Sequence, residues 1–235
     1  MTGHIVPGEE NRFRVRLSGE RLLGLPLLRG EVPGGSLTPR RVRRTARALR
    51  KRGVSRVLAP EDFPFWEEVL AQGLRPVATG ELCRAMAVPI ALAALEGEGI
   101  LPQRASVTLR GERVTRALRT AALELCPKVR QLLVEVPAGG AQLQRELSRE
   151  FGLPVVEAGR GCPVHLSLCF SPSSGVQSGR TADLSGEYPA LEGYHFGLRE
   201  GTLPENTAAL PLLAALWSSG RLERDRIAVE AHFRT

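Results

Sequence analysis

The sequence predicts an α/β protein in which a mainly parallel sheet is sandwiched by helices, with β-hairpin additions near both termini. The first observation is that predicted strands begin at residues 105, 129 and 154, at intervals of 24 and 25 residues. Strand–helix–strand units with short loops have this kind of length. Apolar stripes with helical spacing separate these strands, and apolar and basic residues alternate near the N-terminus. Strands joined by right-handed crossovers lie parallel, so the repeated spacing predicts a parallel sheet.

The N-terminal segment predicts a β-hairpin. Apolar residues alternate with arginines up to Leu17, and Ser18-Gly19 is a turn signal ahead of the apolar run over residues 22–28. The four residues that begin at Leu17 recur from Leu184, within a second hairpin-like stretch. The two stretches account for the predicted hairpins near the termini.

Between these stretches the sequence predicts alternating strands and helices. The predicted strands cover residues 54–59, 74–78, 105–109, 129–136, 154–157 and 164–170. The predicted helices cover residues 63–72, 82–96, 112–125 and 141–151, and a helix over 208–218 and a strand over 227–233 end the chain. We therefore expect a hairpin extension (1–36), a first α/β half (37–103) and a second half (104–235) with a C-terminal hairpin and helix.

The composition is typical of a soluble globular protein, with 43% hydrophobic and 24% charged residues. The longest apolar run, residues 85–95, contains a proline and is shorter than the roughly 20 residues of a membrane span. No signal peptide is visible and no cysteines are spaced as CxxC, so we expect a cytoplasmic protein without a membrane partner. Cys162, His165 and Cys169 lack a fourth ligand nearby, and neither a metal site nor a catalytic residue is predicted.

The net charge of +7 comes from one segment. Between Val32 and Pro60 there are nine bases and no acid. Thr38, Pro39 and Gly53 are start and stop signals for a helix over residues 39–52. The arginines of this helix that could bind phosphate are Arg40, Arg43, Arg44, Arg47 and Arg50. A solvated outer helix is the other interpretation, because no aromatic residue stands beside these arginines to stack on bases.

The loops after the predicted strands are the places where an open parallel sheet binds ligands. They are polar or rich in glycine, as a surface facing a ligand would be. Arginines beside a helix N-terminus favour a phosphate or a carboxylate. The candidate ligand-binding residues are Arg110, Gly111, Arg113, Glu135, Gly139, Gly140 and Arg160.

In element order and spacing, residues 104–170 resemble a Rossmann-like βαβαβ nucleotide-binding unit. The resemblance implies a nucleotide ligand such as NAD(P), and Glu135 matches the position of the acid that binds ribose hydroxyls. The GxGxxG fingerprint is absent, because residues 108–115 contain a single glycine. The layout also resembles a Rossmann-like family of uncharacterised bacterial proteins, mostly clostridial, which implies no activity.

Three functions follow as hypotheses. The first is a non-catalytic binding or regulatory protein with a degenerate pocket for a small anionic or nucleotide-type ligand. The alternatives are an NAD(P)-dependent oxidoreductase, and a nucleic-acid-binding protein that uses the helix over residues 39–52. A second subunit is a further partner to consider, because an exposed hairpin edge can pair with another copy.

Overall fold

A computed structural model describes residues 1–9, 14–34, 36–152, 163–172 and 179–233. The chain forms two compact units, one made of Met1–Ala78 and Gly197–Ile227, the other of Thr79–Phe196 and Ala228–Thr235. Parallel strand pairs dominate the two larger sheets, which confirms the predicted α/β class. Within the described ranges, no helix is both long enough and apolar enough to cross a membrane.

The first unit contains a five-stranded sheet in the order β2-β3-β1-β4-β5. Its strands are β1 (Thr2–Pro7), β2 (Arg16–Leu22), β3 (Leu25–Val32), β4 (Arg56–Leu58) and β5 (Arg75–Pro76). The central strand β1 lies parallel to β3 and β4, and β4 lies parallel to β5, whereas β2 runs antiparallel to β3. The helices of this unit are α1 (Pro39–Lys51), α2 (Trp66–Leu70) and α7 (Ala209–Ser218).

Helix α1 begins and ends where the sequence predicts. Pro39 occupies its first turn, and the Thr38 carbonyl accepts the Val42 N–H at 2.9 Å, although the Thr38 hydroxyl makes no capping bond. Val42 and Leu49 are fully buried against the sheet. The helix approaches closely because β3 offers a glycine there: a Cβ on Gly30 would lie 2.9 Å from Thr45 Cγ2 and 3.1 Å from Leu49 Cδ1.

The N-terminal hairpin forms, but the predicted turn position is wrong. Ser18 and Gly19 lie inside β2, and the chain turns at Leu23-Gly24. Both turn residues have positive φ, 47° and 82°, as a two-residue type I′ hairpin turn requires. The Ser-Gly signal is overridden because β2 pairs with β3 along its whole length, from Arg16 to Leu22.

The second unit contains a four-stranded, all-parallel sheet in the order β7-β6-β8-β9. Its strands are β6 (Ser106–Arg110), β7 (Gln131–Glu135), β8 (Leu166–Cys169) and β9 (Arg180–Asp183). The helices are α3 (Gly80–Ala85), α4 (Ala87–Gly97), α5 (Arg116–Leu125) and α6 (Gly140–Phe151). Two further strands, β10 (Tyr194–Leu198) and β11 (Ile227–Ala231), pair in a separate two-stranded sheet.

The predicted elements of this region differ from the structure in two places. The helix predicted over residues 82–96 is two helices, α3 and α4, which meet at Met86. The four residues from Leu184 do not form a hairpin turn, because β9 pairs in parallel with β8 and the Glu187 carbonyl accepts the N–H groups of Thr79 and Gly80. The strand predicted over 154–157 lies outside the described residues.

The glycine beneath α1 generates the first prediction. We expect Gly30→Val to lower the free energy of unfolding by about 1–3 kcal/mol, because the added carbons overlap Thr45 and Leu49. Gly19→Val in the same hairpin is the matched control, since a Cβ there meets no atom of the described residues within 4 Å. Urea unfolding of both variants measures the difference. Equal destabilisation of the two would contradict the tight contact between α1 and β3.

Candidate functional site

The ends of β6 and β7 bring two of the predicted ligand residues together. Arg110 and Glu135 are direct neighbours in the parallel register, and Arg110 Nε lies 2.8 Å from Glu135 Oε2. Their side chains are 15% and 31% exposed. The pair neutralises both charges at the position where a Rossmann-like unit would hold a ribose. Arg110 is therefore less available to an external anion than the sequence alone suggests.

The backbone amides of the same loops are also engaged. A glycine-rich phosphate loop works by pointing free N–H groups at the ligand. Here two loops bond to each other, Val114 N to the Ala138 oxygen at 3.0 Å and Ala138 N to the Glu112 oxygen at 3.2 Å. Other amides are occupied as well: those of Gly111 by Glu135 O, Glu112 by Ser171 Oγ, Leu118 by Thr115 Oγ1 and Gly140 by Val136 O.

The remaining ligand candidates lie around the N-terminus of α6. A parallel bridge joins Arg113 to Ala138, and Gly139, with φ of 87°, leads into Gly140 at the start of α6. No side chain caps this helix, and the Arg113 side chain is exposed. Arg160 lies outside the described residues. The structure thus brings Arg113 close in space to Gly139 and Gly140, with Arg110 and Glu135 paired on the adjoining strand ends.

Helix α1 presents what we define as the arginine surface, formed by Arg40, Arg43, Arg44, Arg47 and Arg50. All five residues are exposed. Among the described residues none of them forms an ion pair. Their side-chain bonds go to neutral groups, from Arg47 Nε to Gln72 Oε1 at 3.1 Å and from Arg50 Nη1 to the Val54 oxygen at 3.4 Å.

A third polar feature, which the sequence does not reveal, centres on His4 of β1. His4 Nδ1 lies 2.8 Å from Glu20 Oε2, and His4 Nε2 lies 2.8 Å from Thr207 Oγ1 and 3.3 Å from the Asn206 oxygen. The second carboxylate oxygen of Glu20 accepts a bond from Arg29 at 3.2 Å. His4 therefore lies at the centre of a hydrogen-bonded network. Its partners stand 16 and 203 residues away, and no local pattern signals such contacts.

The order carboxylate, imidazole, hydroxyl is the one that hydrolases use for nucleophilic attack. A nucleophile must be reachable by its substrate, however, and Thr207 is only 5% exposed. His4 itself is 2% exposed. The geometry therefore supports a structural role: the three side chains join β1 and β2 to the segment that leads into α7.

In the part of the chain that the structure describes, no three or more His, Cys, Asp or Glu side chains form a group that could hold a metal ion. The side chains of Cys83, Cys126 and Cys169 are buried. Burial raises the pKa of the Cys83 thiol to about 11, so it stays protonated and unreactive at neutral pH. His165 Nδ1 accepts the Ser106 backbone N–H at 3.0 Å, which ties β8 to β6.

The His4 network generates the second prediction. Thr207→Val keeps the shape of the side chain but removes the hydroxyl from a buried imidazole nitrogen, so we expect a loss of about 1–3 kcal/mol of unfolding free energy. Thr45→Val is the matched control, because the buried Thr45 hydroxyl has no hydrogen-bond partner among the described residues. That substitution should leave stability unchanged or raise it slightly.

Urea unfolding of both threonine variants, with fitted slopes compared as well as midpoints, checks this contrast. A Thr207→Val protein as stable as the unsubstituted chain would show that the hydroxyl contributes nothing to the network.

Comparison with protein-family models and with curated proteins finds no match for this chain. What the protein binds therefore has to be argued from its own charges, contacts and surfaces.

Proposed function

We propose that this protein binds the phosphate backbone of nucleic acid through the arginine surface of α1. The observation that carries the proposal is the absence of acidic partners: among the described residues, none of the five exposed arginines is ion-paired. A cationic surface that no acid of the protein neutralises attracts anions from solution. Phosphate contacts from arginine supply the sequence-independent part of nucleic-acid binding.

The neighbourhood of α1 supports the proposal. Helix α2 packs beside α1 and carries Glu67 and Glu68, yet the contact made to the arginine surface comes from the neutral amide of Gln72. Helix α1 itself has no acid in its first turn and has two bases in its last turn. Like charges spaced i, i+4, as in Arg43 and Arg47, each destabilise a helix by about 0.2–0.5 kcal/mol. A bound polyanion offsets this repulsion.

The shape of the surface indicates the kind of nucleic-acid contact. Thirteen residues of α-helix extend over about 20 Å. Two further exposed arginines, Arg56 and Arg75, are register neighbours on β4 and β5. No aromatic residue lies on α1. We therefore expect contacts to phosphates without stacking on bases, and little dependence on base sequence.

Salt dependence tests this function, and it is the third prediction. If the five arginines contact phosphates of duplex DNA, the logarithm of the association constant should fall against log[salt] with a slope of about −4 to −5. Arg43→Glu combined with Arg47→Glu should weaken binding more than tenfold and make the slope shallower by about 2. Fluorescence anisotropy with a labelled duplex and a labelled single strand measures both quantities.

Arg145→Glu combined with Arg149→Glu on α6 is the control, because these arginines are exposed and have the same i, i+4 spacing. If this control lost as much affinity as the α1 variant, binding would reflect net charge and the assignment to α1 would be wrong. Absence of binding at low salt would reject the function itself.

We also propose, as a second candidate, that a small anion binds at Arg113 beside the N-terminus of α6. The observation that favours it is the bridge from Arg113 to Ala138, which brings an exposed arginine next to an uncapped helix start. Helix N-termini attract phosphates and carboxylates. The engaged amides of the neighbouring loops favour a small anion over a dinucleotide.

Thermal-shift measurements with inorganic phosphate, ATP, S-adenosylmethionine, NAD and NADP test this second candidate. A ligand at a hundredfold excess over its dissociation constant should stabilise the protein by about 2.7 kcal/mol. Arg113→Ala should abolish the shift, whereas Arg116→Ala, at the first residue of α5, should not. A shift with NAD or NADP alone would instead favour the oxidoreductase hypothesis.

A further inference from the structure

A cavity of about 480 Å³ lies within the first unit, between the turn of the β2–β3 hairpin and the C-terminal end of α7. Four leucines form its apolar walls: Leu23, Leu198, Leu216 and Leu222. This volume falls in the range of roughly 300–1,000 Å³ that small-molecule sites occupy. The other five lining residues are charged, so the cavity offers both apolar and polar contacts to a ligand.

Three arginines and two acids line the same cavity, so the lining carries a net positive charge. Arg199 and Arg226 are neighbours, because the Arg199 N–H donates to the Arg226 oxygen at 2.9 Å. Neither side chain forms an ion pair or a hydrogen bond with another described residue, although Glu200 and Asp225 line the cavity too. Because both residues line the cavity, an anion bound there can contact both guanidinium groups and offset their like charges.

The hairpin turn supplies an independent observation. Leu23 has φ of 47°, in the left-handed region that glycine, asparagine and aspartate adopt far more easily than leucine. Its side chain is nevertheless apolar and 47% exposed, and it lines the cavity. A leucine held in a strained turn with its side chain partly in water stabilises neither the turn nor the core. Contact between the Leu23 side chain and a ligand explains why a leucine occupies this turn position.

The cavity is also held in shape from both sides. Arg221 Nε, at the end of α7, donates to the Gly24 oxygen of the hairpin turn at 3.0 Å. The Arg221 N–H also donates to the Leu216 oxygen, which closes the helix end. These bonds fix the turn against the helix end, so that Leu23 and Leu216 keep their positions without a ligand.

We propose that this cavity binds a small amphipathic anion, with an aliphatic or aromatic body against the leucines and one anionic head group at Arg199 and Arg226. The head group is a carboxylate or a phosphate, since both match the planar guanidinium fork. This binding is independent of the nucleic-acid proposal, because it uses none of the residues of the arginine surface.

Isothermal titration calorimetry with the whole protein provides the test and the fifth prediction. Decanoate and decyl phosphate serve as anionic probes, and decanol, of equal chain length, is the uncharged one. We expect both anions to bind at least tenfold more tightly than decanol. Equal affinity for decanol, or no binding of either anion, would overturn the proposal, and a preference between the two anions identifies the head group.

Two double variants distinguish binding in the cavity from attraction to the protein's overall positive charge. Arg199→Gln combined with Arg226→Gln should weaken decanoate binding at least tenfold. Arg43→Gln combined with Arg47→Gln removes the same charge from α1 and should leave decanoate binding unchanged. Equal loss in both double variants would show nonspecific attraction and overturn the site.

A third variant, Leu23→Gly, distinguishes a loss of binding from a loss of folding. Glycine adopts the positive φ without strain, so this variant should not melt at a lower temperature, yet it should bind decanoate severalfold more weakly. Unchanged binding by this variant would exclude Leu23 from the site and remove the explanation of its strained conformation.

Discussion

The close approach of α1 to its sheet determines the electrostatics of the first unit. Glycines stand beneath the helix on two adjacent strands, Gly3 on β1 and Gly30 on β3, with Leu49 within 3.5 Å of a Cβ built at either position. The buried face of α1 is correspondingly narrow and consists of Val42, Thr45, Ala46 and Leu49. Rotation of the helix about its axis would bury a guanidinium group without an acidic partner, which costs several kcal/mol. Packing against glycine therefore keeps the arginine surface in solvent.

Polar bonds, by contrast, hold α7 at both of its ends. At its start, Ala208 N donates to the Ala59 oxygen at 2.8 Å, and Thr207 contacts the buried His4. At its end, Arg221 bonds to the hairpin turn. Directional bonds at two points fix the position of a helix along its axis more narrowly than apolar packing does. The cavity at the C-terminal end of α7 depends on this fixed position, because one of its walls belongs to the helix and another to the turn.

Sequence reasoning succeeds here where information is local. The strands at 105 and 129 follow from spacing and apolar runs, and the limits of α1 follow from Thr38-Pro39 and Gly53. It fails where tertiary contacts decide. The Ser18-Gly19 turn signal loses to the pairing of β2 with β3, and the sequence shows a single apolar run where the structure breaks the helix at Met86.

The same division between local information and tertiary contacts applies to the candidate site residues. Arg110 and Glu135 are each predicted to bind a ligand, but only the parallel register shows that they bind each other. The contacts of His4 and the lining of the cavity join segments about 200 residues apart, and no periodicity or spacing in one sequence encodes such contacts. The assignment to a Rossmann-like bacterial family stays a prediction.

The chain has two kinds of donor that could hold an anion, and they select different ligands. Backbone amides at strand ends are neutral and fixed in direction, so they select one small ligand of matching shape. At the ends of β6 and β7 many of these amides are consumed in holding the loops together. Guanidinium groups on long side chains adapt their position, and their attraction reaches about 8–10 Å at moderate salt. A row of such groups, as on α1, suits a ligand with repeated charges.

The abundance of arginine is not itself the argument, since the chain uses lysine at only two positions, Lys51 and Lys128. What distinguishes the arginines of α1 is where they lie relative to the described carboxylates of the protein. Arg110 and Arg119 in the second unit, and Arg29 in the first, each face a carboxylate at 2.7–3.2 Å. These pairs show that the chain neutralises arginines where strands or helices bring an acid within reach. The arginine surface differs because packing turns it toward solvent and Glu67 and Glu68 on α2 form no ion pair with it among the described residues. An unneutralised row of charges on a firmly packed helix is better matched to a polyanion than to a single small ligand.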